Sequence, residues 1–168
     1  MRKGLSIVIP TYNEKENIQK LLEKIQEEFK KNNINGEIII VDDGSPDGTG
    51  EIAERLRKKY KNLKVFHRSG KLGLSSAVLE GWKIASMNIL GVMDADLSHP
   101  AEKISEMYRL IENNEADLVI GSRYVKGGRI EGWGLYRRLL SKGATLLARV
   151  FTSVKDPMTG FFMIKKEK

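Results

Sequence analysis

The chain is 168 residues long, 40% hydrophobic and 30% charged, values that fit one globular domain with a single core and exclude a disordered tail. A formal net charge of +7 points to an anionic partner without naming it, because nucleic acid, anionic lipid, phosphorylated substrates and a merely solvated basic surface all satisfy it. The chain has no cysteine, which rules out disulfides and thiolate metal sites and suits a reducing cytoplasm.

No apolar run approaches the ~18–20 residues needed to cross a bilayer. Met1-Arg2-Lys3 precedes only the short run Leu5–Ile9, too little for a signal peptide, so the expected location is cytoplasmic. Leu5–Ile9 itself, rich in β-branched residues, predicts a first strand. Ile18, Leu21, Leu22, Ile25 and Phe29 then recur at helical spacing, with Glu and Lys on the other face. Glu37–Val41 predicts a second strand, Thr49–Tyr60 a second helix and Leu63–His67 a third strand. Leu74–Met87 reads as a helix and Asn88–Met93 as a strand. A helix from Pro100 to Asn113, with proline in its first turn, follows. The short runs Leu118–Ile120 and Phe161–Ile164 complete the strands. Between them, Lys126–Gly134 carries four glycines and reads as a loop, and Leu135–Val150 as a fifth helix. Strands alternating with helices predict a doubly wound, Rossmann-like α/β fold with a mainly parallel sheet, whose ligands bind beyond the carboxyl ends of the strands.

Carboxylates crowd those strand ends: Glu14 after the first, Asp42, Asp43 and Asp47 after the second, Asp94 and Asp96 after the fourth. Asp47 belongs to ordinary turn chemistry in Ser45-Pro46-Asp47-Gly48, and Asn13 could simply cap the first helix. If the fourth strand continues through Asp94 and Asp96, residues two apart share a face and their carboxylates converge. Such a pair repels unless a proton or cation separates it. Mg2+ or Mn2+, shared with substrate phosphates, would satisfy the pair; a solvated acidic turn fits the spacing equally well. There is no G-x-G-x-x-G after a strand and no G-x-x-x-x-G-K-[ST], so dinucleotide and P-loop chemistry are disfavoured. Two histidines, His67 and His99, do not make a histidine zinc site, and both read as strand-end or turn residues. Basic residues cluster after the fifth strand, at Arg123, Lys126, Arg129, Arg137 and Arg138; Arg123 and Arg137 could close on an anionic ligand through their guanidinium forks, or Arg137, Arg138 and Lys142 could simply line the wet side of a helix. Nucleic-acid binding has only the net charge behind it, with no motif or aromatic platform.

Together the blocks Ile9-Pro10-Thr11-Tyr12-Asn13-Glu14, Val41-Asp42-Asp43-Gly44-Ser45-Pro46-Asp47-Gly48-Thr49, Lys71-Leu72-Gly73-Leu74, Met93-Asp94-Ala95-Asp96-Leu97-Ser98-His99-Pro100, Gly121-Ser122-Arg123-Tyr124 and Asp156-Pro157-Met158-Thr159-Gly160-Phe161-Phe162 resemble the family 2 inverting glycosyltransferases of GT-A fold. The likeness is greatest to the branch of dolichyl-phosphate mannose synthases. It implies transfer of mannose from GDP-mannose to dolichyl (polyprenyl) phosphate, or the related use of a UDP-sugar. It also implies a nucleotide-sugar site made of Pro10, Tyr12, Glu14, Val41, Asp42, Asp43, Lys71, Asp94, Ala95, Asp96 and Arg123. Asp96, Asp94 and Ser98 would hold Mg2+ or Mn2+, while Arg123 and Arg137 would receive the acceptor phosphate or donor diphosphate. In relatives the chain continues beyond the last block with a further strand, basic residues and a membrane-facing helix. Residues 1–168 are therefore expected to form one donor-binding catalytic domain without the C-terminal part of the family domain, active alone or as a module needing a partner chain. The Arg129–Leu147 stretch, with Trp133, Leu135 and Tyr136 among basic residues, could rest on the cytoplasmic face of a membrane.

Overall fold

The computed structural model describes residues 2–122, 156 and 159–166. Six strands, β1 (Arg2–Thr11), β2 (Gly36–Asp42), β3 (Leu63–His67), β4 (Met87–Val92), β5 (Leu118–Ile120) and β6 (Phe162–Lys165), form one sheet in the order β3-β2-β1-β4-β6-β5. The four strands β3, β2, β1 and β4 run parallel, and β6 lies antiparallel to both β4 and β5. The mainly parallel α/β reading therefore holds, with a reversal at β6 that the run Phe161–Ile164 could not reveal.

Period-2 alternation explains how the sheet buries both faces. Leu5, Ile7 and Ile9 of β1 join Ile38 and Ile40 of β2 in a core with α1 (Ile18–Lys31), α2 (Thr49–Lys59) and α4 (Ile104–Glu112). Val8, Ile39 and Val41 point the other way, against Ala77 of α3 (Leu74–Ile84). Helix α1 forms because Ile18, Leu21, Leu22, Ile25 and Phe29 make one continuous buried stripe. Lys30 and Lys31 favour its negative end. It stops at Asn32 and Asn33, the latter in the left-handed conformation at φ 53°.

Strand β1 runs beyond the expected Leu5–Ile9 at both ends, β4 and β6 are each shifted by one residue, and three further details differ from the sequence expectation. Helix α3 ends at Ile84, because Ala85 is already extended (ψ 130°) and Met87 opens β4. Pro100 is extended (ψ 112°) and precedes a short 3-10 turn, Ala101–Lys103, so α4 begins only at Ile104. Asn13 does not cap α1: it sits at φ 61°, and the residue at the cap position is Asn17. The predicted loop Lys126–Gly134 and helix Leu135–Val150 lie outside the described residues. No helix among the described residues is long and apolar enough to cross a membrane.

At the edge of the sheet opposite the strand ends that matter for function, Glu37 is buried yet fully paired. Its Oε1 accepts from Ser6 Oγ (2.7 Å) and the Ser86 amide (2.7 Å), and its Oε2 from Ser86 Oγ (2.8 Å) and Lys64 Nζ (2.9 Å). Burial pushes its pKa up, but the bonds from Ser86, Lys64 and Ser6 outweigh burial and leave it lowered. A depressed carboxyl stabilises the fold above its unfolded value of 4.5, and that contribution is lost as pH falls through the lower folded value. Glu37→Gln should cost about 1–3 kcal/mol at pH 7, because the amide cannot accept all four donors. In urea titrations the gap from the parent chain should shrink below pH 4; a pH-independent gap would mean the charge is irrelevant.

Candidate active site

Three parallel strands and the segment leading into β6 deliver the functional residues to one edge. β1 ends beside β2 with Thr11 opposite Asp42 and Pro10 opposite Val41. Asp42 is 2% exposed, and its Oδ1 accepts from Thr11 Oγ1 (2.9 Å) and Ser45 Oγ (2.6 Å). Ser45 Oγ in turn accepts the Asn13 amide at 3.0 Å. Asp47 accepts from the Thr49 amide and hydroxyl and the Lys15 amide, so it ties the β2–α2 turn to the segment after β1. That confirms its turn role. The carboxylates of Asp42 and Asp47 are thus consumed in shaping the loops that carry their neighbours.

Asp43 is also enclosed. Its Oδ1 is held by both Nε and Nη2 of Arg68, and its Oδ2 accepts the Leu72 amide at 3.0 Å. Arg68 continues to Ser76 Oγ (2.7 Å) and the Gly73 carbonyl (3.0 Å), which anchors the loop before α3. At the mouth of that loop, Lys71 Nζ sits 4.4 Å above the ring of Tyr12, which is 38% exposed.

The strand β4 stops at Val92, so Asp94 and Asp96 lie in the following loop rather than on a continued strand. They differ accordingly. Asp94 is half-buried, and its Oδ2 lies 3.0 Å from His99 Nε2. Asp96 is exposed, and its Oδ1 accepts the Ser98 amide at 3.0 Å, a local turn completed by Leu97 at φ 60°. The two still share one neighbourhood. Glu14 is raised above the usual carboxylate range by burial, and further by Asp96, Asp47 and Asp94, against a hydrogen bond from Asn17. Carboxylates from two separate strand ends therefore lie near enough to disfavour one another's charge, a field that a divalent cation would relieve.

The residues present fit such a cation. Gly160 approaches the Asp94 carboxylate so closely that a Cβ there would stand 2.2 Å from Oδ2 and 2.3 Å from Oδ1, so any larger residue would displace that carboxylate. Among the described residues no three His, Asp or Glu side chains could hold a metal together. The available set is a carboxylate pair whose coordination substrate phosphate oxygens would complete, which is how Mg2+ and Mn2+ are usually bound beside nucleotides.

Of the sequence-predicted residues, Glu14, Asp94 and Asp96 are brought together, Pro10 is half-buried at the end of β1, Tyr12 and Lys71 meet at the rim, and Ser98 is exposed beside Asp96. Val41 and Ala95 present no side chain to this edge: Val41 is fully buried under α3, and Ala95, at 3% exposure, belongs to the main core. Arg123 and Arg137 lie outside the described residues. Sequence reasoning missed Arg68, an arginine directly after β3 that nothing in its neighbours marks as buried. It also assigned His99 to a turn, although the imidazole is 7% exposed and bonded to Asp94.

A mainly parallel six-stranded sheet flanked by helices, with carboxylates gathered beyond its strand ends, is the GT-A glycosyltransferase fold. The chain belongs to the glycosyl transferase family 2, whose profile matches residues 6–168. It is 47% identical over 167 residues to the dolichol-phosphate mannosyltransferase of Pyrococcus furiosus, an alignment covering 97% of this chain and 46% of that protein. The chain thus spans about half the length of the curated relatives it matches. Among solved structures, mannosyl-3-phosphoglycerate synthase from Rubrobacter xylanophilus superposes with a TM-score of 0.73 at 17% identity, covering 97% of this chain and 53% of that one. The mannosyltransferase PcManGT from Pyrobaculum calidifontis, solved with GDP-Man and Mn2+, gives a TM-score of 0.62 at 24% identity over 71% of this chain and 35% of its own.

Proposed function

We propose that residues 1–168 are the donor-binding catalytic domain of an enzyme that transfers mannose from GDP-mannose to a polyprenyl (dolichyl) phosphate, inverting the anomeric centre. The observation that carries this reading is the convergence of Glu14, Asp94 and Asp96 at the strand ends of a chain 47% identical to a dolichol-phosphate mannosyltransferase. The acceptor is a phosphate monoester with a second pKa of about 6, so its oxygen is already a nucleophile near neutral pH. No general base is needed. Its attack forms the new C–O bond on the face opposite the donor, while the bond to the diphosphate breaks and GDP leaves with the electron pair.

The demand on the protein is to hold two anions together and to neutralise the leaving group. Asp96, with Asp94 beside it and Ser98 adding an oxygen, would hold Mg2+ or Mn2+. When bound, that ion would act as a Lewis acid on the departing diphosphate. Pro10, Tyr12 and Glu14 line the nucleoside end, with Lys71 poised over Tyr12 to meet a phosphate. Asp42 and Asp43 support these residues through the loops they organise. Arg123 and Arg137 are assigned to align the acceptor phosphate against the donor. Peripheral contact with a membrane, where the acceptor resides, goes with this assignment.

Calorimetric titration with GDP-mannose in Mn2+, with UDP-glucose and a metal-free run as controls, tests the donor. Tight binding of GDP-mannose only when metal is present supports the reading. A preference for UDP-glucose would redirect it to a UDP-sugar transferase, and binding of neither would overturn it. Arg123→Ala should slow transfer to a short polyprenyl phosphate at least about tenfold, the scale of one lost charge-assisted contact; an unaltered rate would return Arg123 to the surface.

A further inference from the structure

His99 is held more tightly than a turn residue requires. Its ring stacks on Phe161, with centroids 5.2 Å apart and planes at 27°. Phe161 is itself 2% exposed and lies so close to Gly121 that a Cβ there would stand 2.3 Å from its ring. The Phe161 amide donates to Thr159 Oγ1, which donates to the Gly121 carbonyl, and the Gly121 amide donates back to the Phe161 carbonyl. This closed set fixes the aromatic ring, the ring fixes the imidazole, and the imidazole faces one polar atom, Asp94 Oδ2, at 3.0 Å. An ionised carboxylate only accepts, so Nε2 carries the hydrogen and donates. Gly160, just before β6, packs against both oxygens of the same carboxylate.

We infer that His99 is a positioning residue that fixes the Asp94 carboxylate for a divalent cation, with Phe161 and Gly160 completing the bracket. The inference rests on the reading of Asp94 and Asp96 as cation ligands. A free Asp94 would swing away from the like charges of Glu14 and Asp96 and would lose rotamer freedom each time a cation drew it back. Held through Oδ2, its carboxylate is set in one orientation in advance. Partners that orient a ligand in this way typically change metal affinity by about 10–100-fold.

The test is a Mn2+ titration of the 168-residue chain in the presence of GDP, read from the electron paramagnetic resonance signal of free Mn2+, with folding followed by near-UV circular dichroism. His99→Phe keeps an aromatic ring on Phe161 but removes the donor, and should weaken Mn2+ binding about tenfold or more in a folded protein. His99→Gln, whose amide N–H can reach the place of Nε2, should recover most of that loss. Wild-type affinity in His99→Phe would overturn the inference, as would His99→Gln binding as weakly as His99→Phe. Should His99→Phe fail to fold, the comparison passes to His99→Gln against the shorter His99→Asn; equal affinities would overturn it. Failure of the unmutated chain to bind Mn2+ with GDP would remove the underlying reading of the site. Binding that is lost in Asp96→Asn but unchanged in His99→Phe would remove only the role of His99.

Discussion

Asp96→Asn is expected to abolish Mn2+-dependent binding of GDP-mannose while leaving the thermal unfolding curve unchanged. Asp96 is exposed, and its one described contact is the Ser98 amide, which an asparagine oxygen can still accept. The substitution therefore removes a charge without removing a structural bond. Losing an outer-shell partner typically costs about 10–100-fold in metal affinity, so losing a direct ligand should cost at least about 100-fold. Calorimetry with and without Mn2+ separates the outcomes. Unchanged metal dependence would transfer the ligand role away from Asp96, and a lowered melting temperature would show that the residue holds the loop instead.

Arg68→Ala is expected to produce the largest loss of stability of any single change at this edge of the sheet. The Arg68 side chain is 4% exposed and that of Asp43 8%. Removing the guanidinium leaves the Asp43 carboxylate buried with only the Leu72 amide among the described residues. Breaking a buried pair from one side commonly costs about 3–5 kcal/mol, far more than the about 0–1 kcal/mol of an exposed pair such as Lys83–Glu80. Arg68→Lys should rescue little, because a single ammonium cannot reach Asp43, Ser76 and the Gly73 carbonyl together. Urea unfolding measures this directly, and the double substitution with Asp43→Ala should lose less than the two single losses added. A loss under about 1 kcal/mol for Arg68→Ala would mean that water replaces the guanidinium.

Much of this architecture was legible in the sequence, for definite reasons. The stripe from Ile18 to Phe29 and the alternation in β1 each bury one face, and a periodic burial demand leaves a periodic trace. The strand ends were legible too, since Asp94 and Asp96 follow an apolar run directly. The direction of β6 was not. A four-residue strand has the same pattern read either way, and its reversal depends on pairing with β4 and β5. Side-chain fates at the site were hidden for a related reason. Val41 and Ala95 sit within the site blocks of the sequence but turn into the core, while Arg68 lies far along the chain from Asp43, and His99, though near Asp94 in sequence, carries no pattern that marks its burial.

The placement of β6 also bears on how the protein acquires its chemistry in time. Strands β1 to β4 join neighbours through helical crossovers, so they can assemble as the chain lengthens. β5, by contrast, has β6 as its sheet neighbour, and β6 arrives some forty residues later in sequence. Bringing together strands so far apart in sequence carries an entropic cost, which places the insertion of β6 late in folding. Gly160 and Phe161 travel with that strand, and they complete the bracket around Asp94. A nascent chain can therefore hold a nearly finished sheet while Asp94 still lacks its neighbours from the β6 side, so that this corner of the molecule would be completed by the closing event of folding rather than in its first folded half.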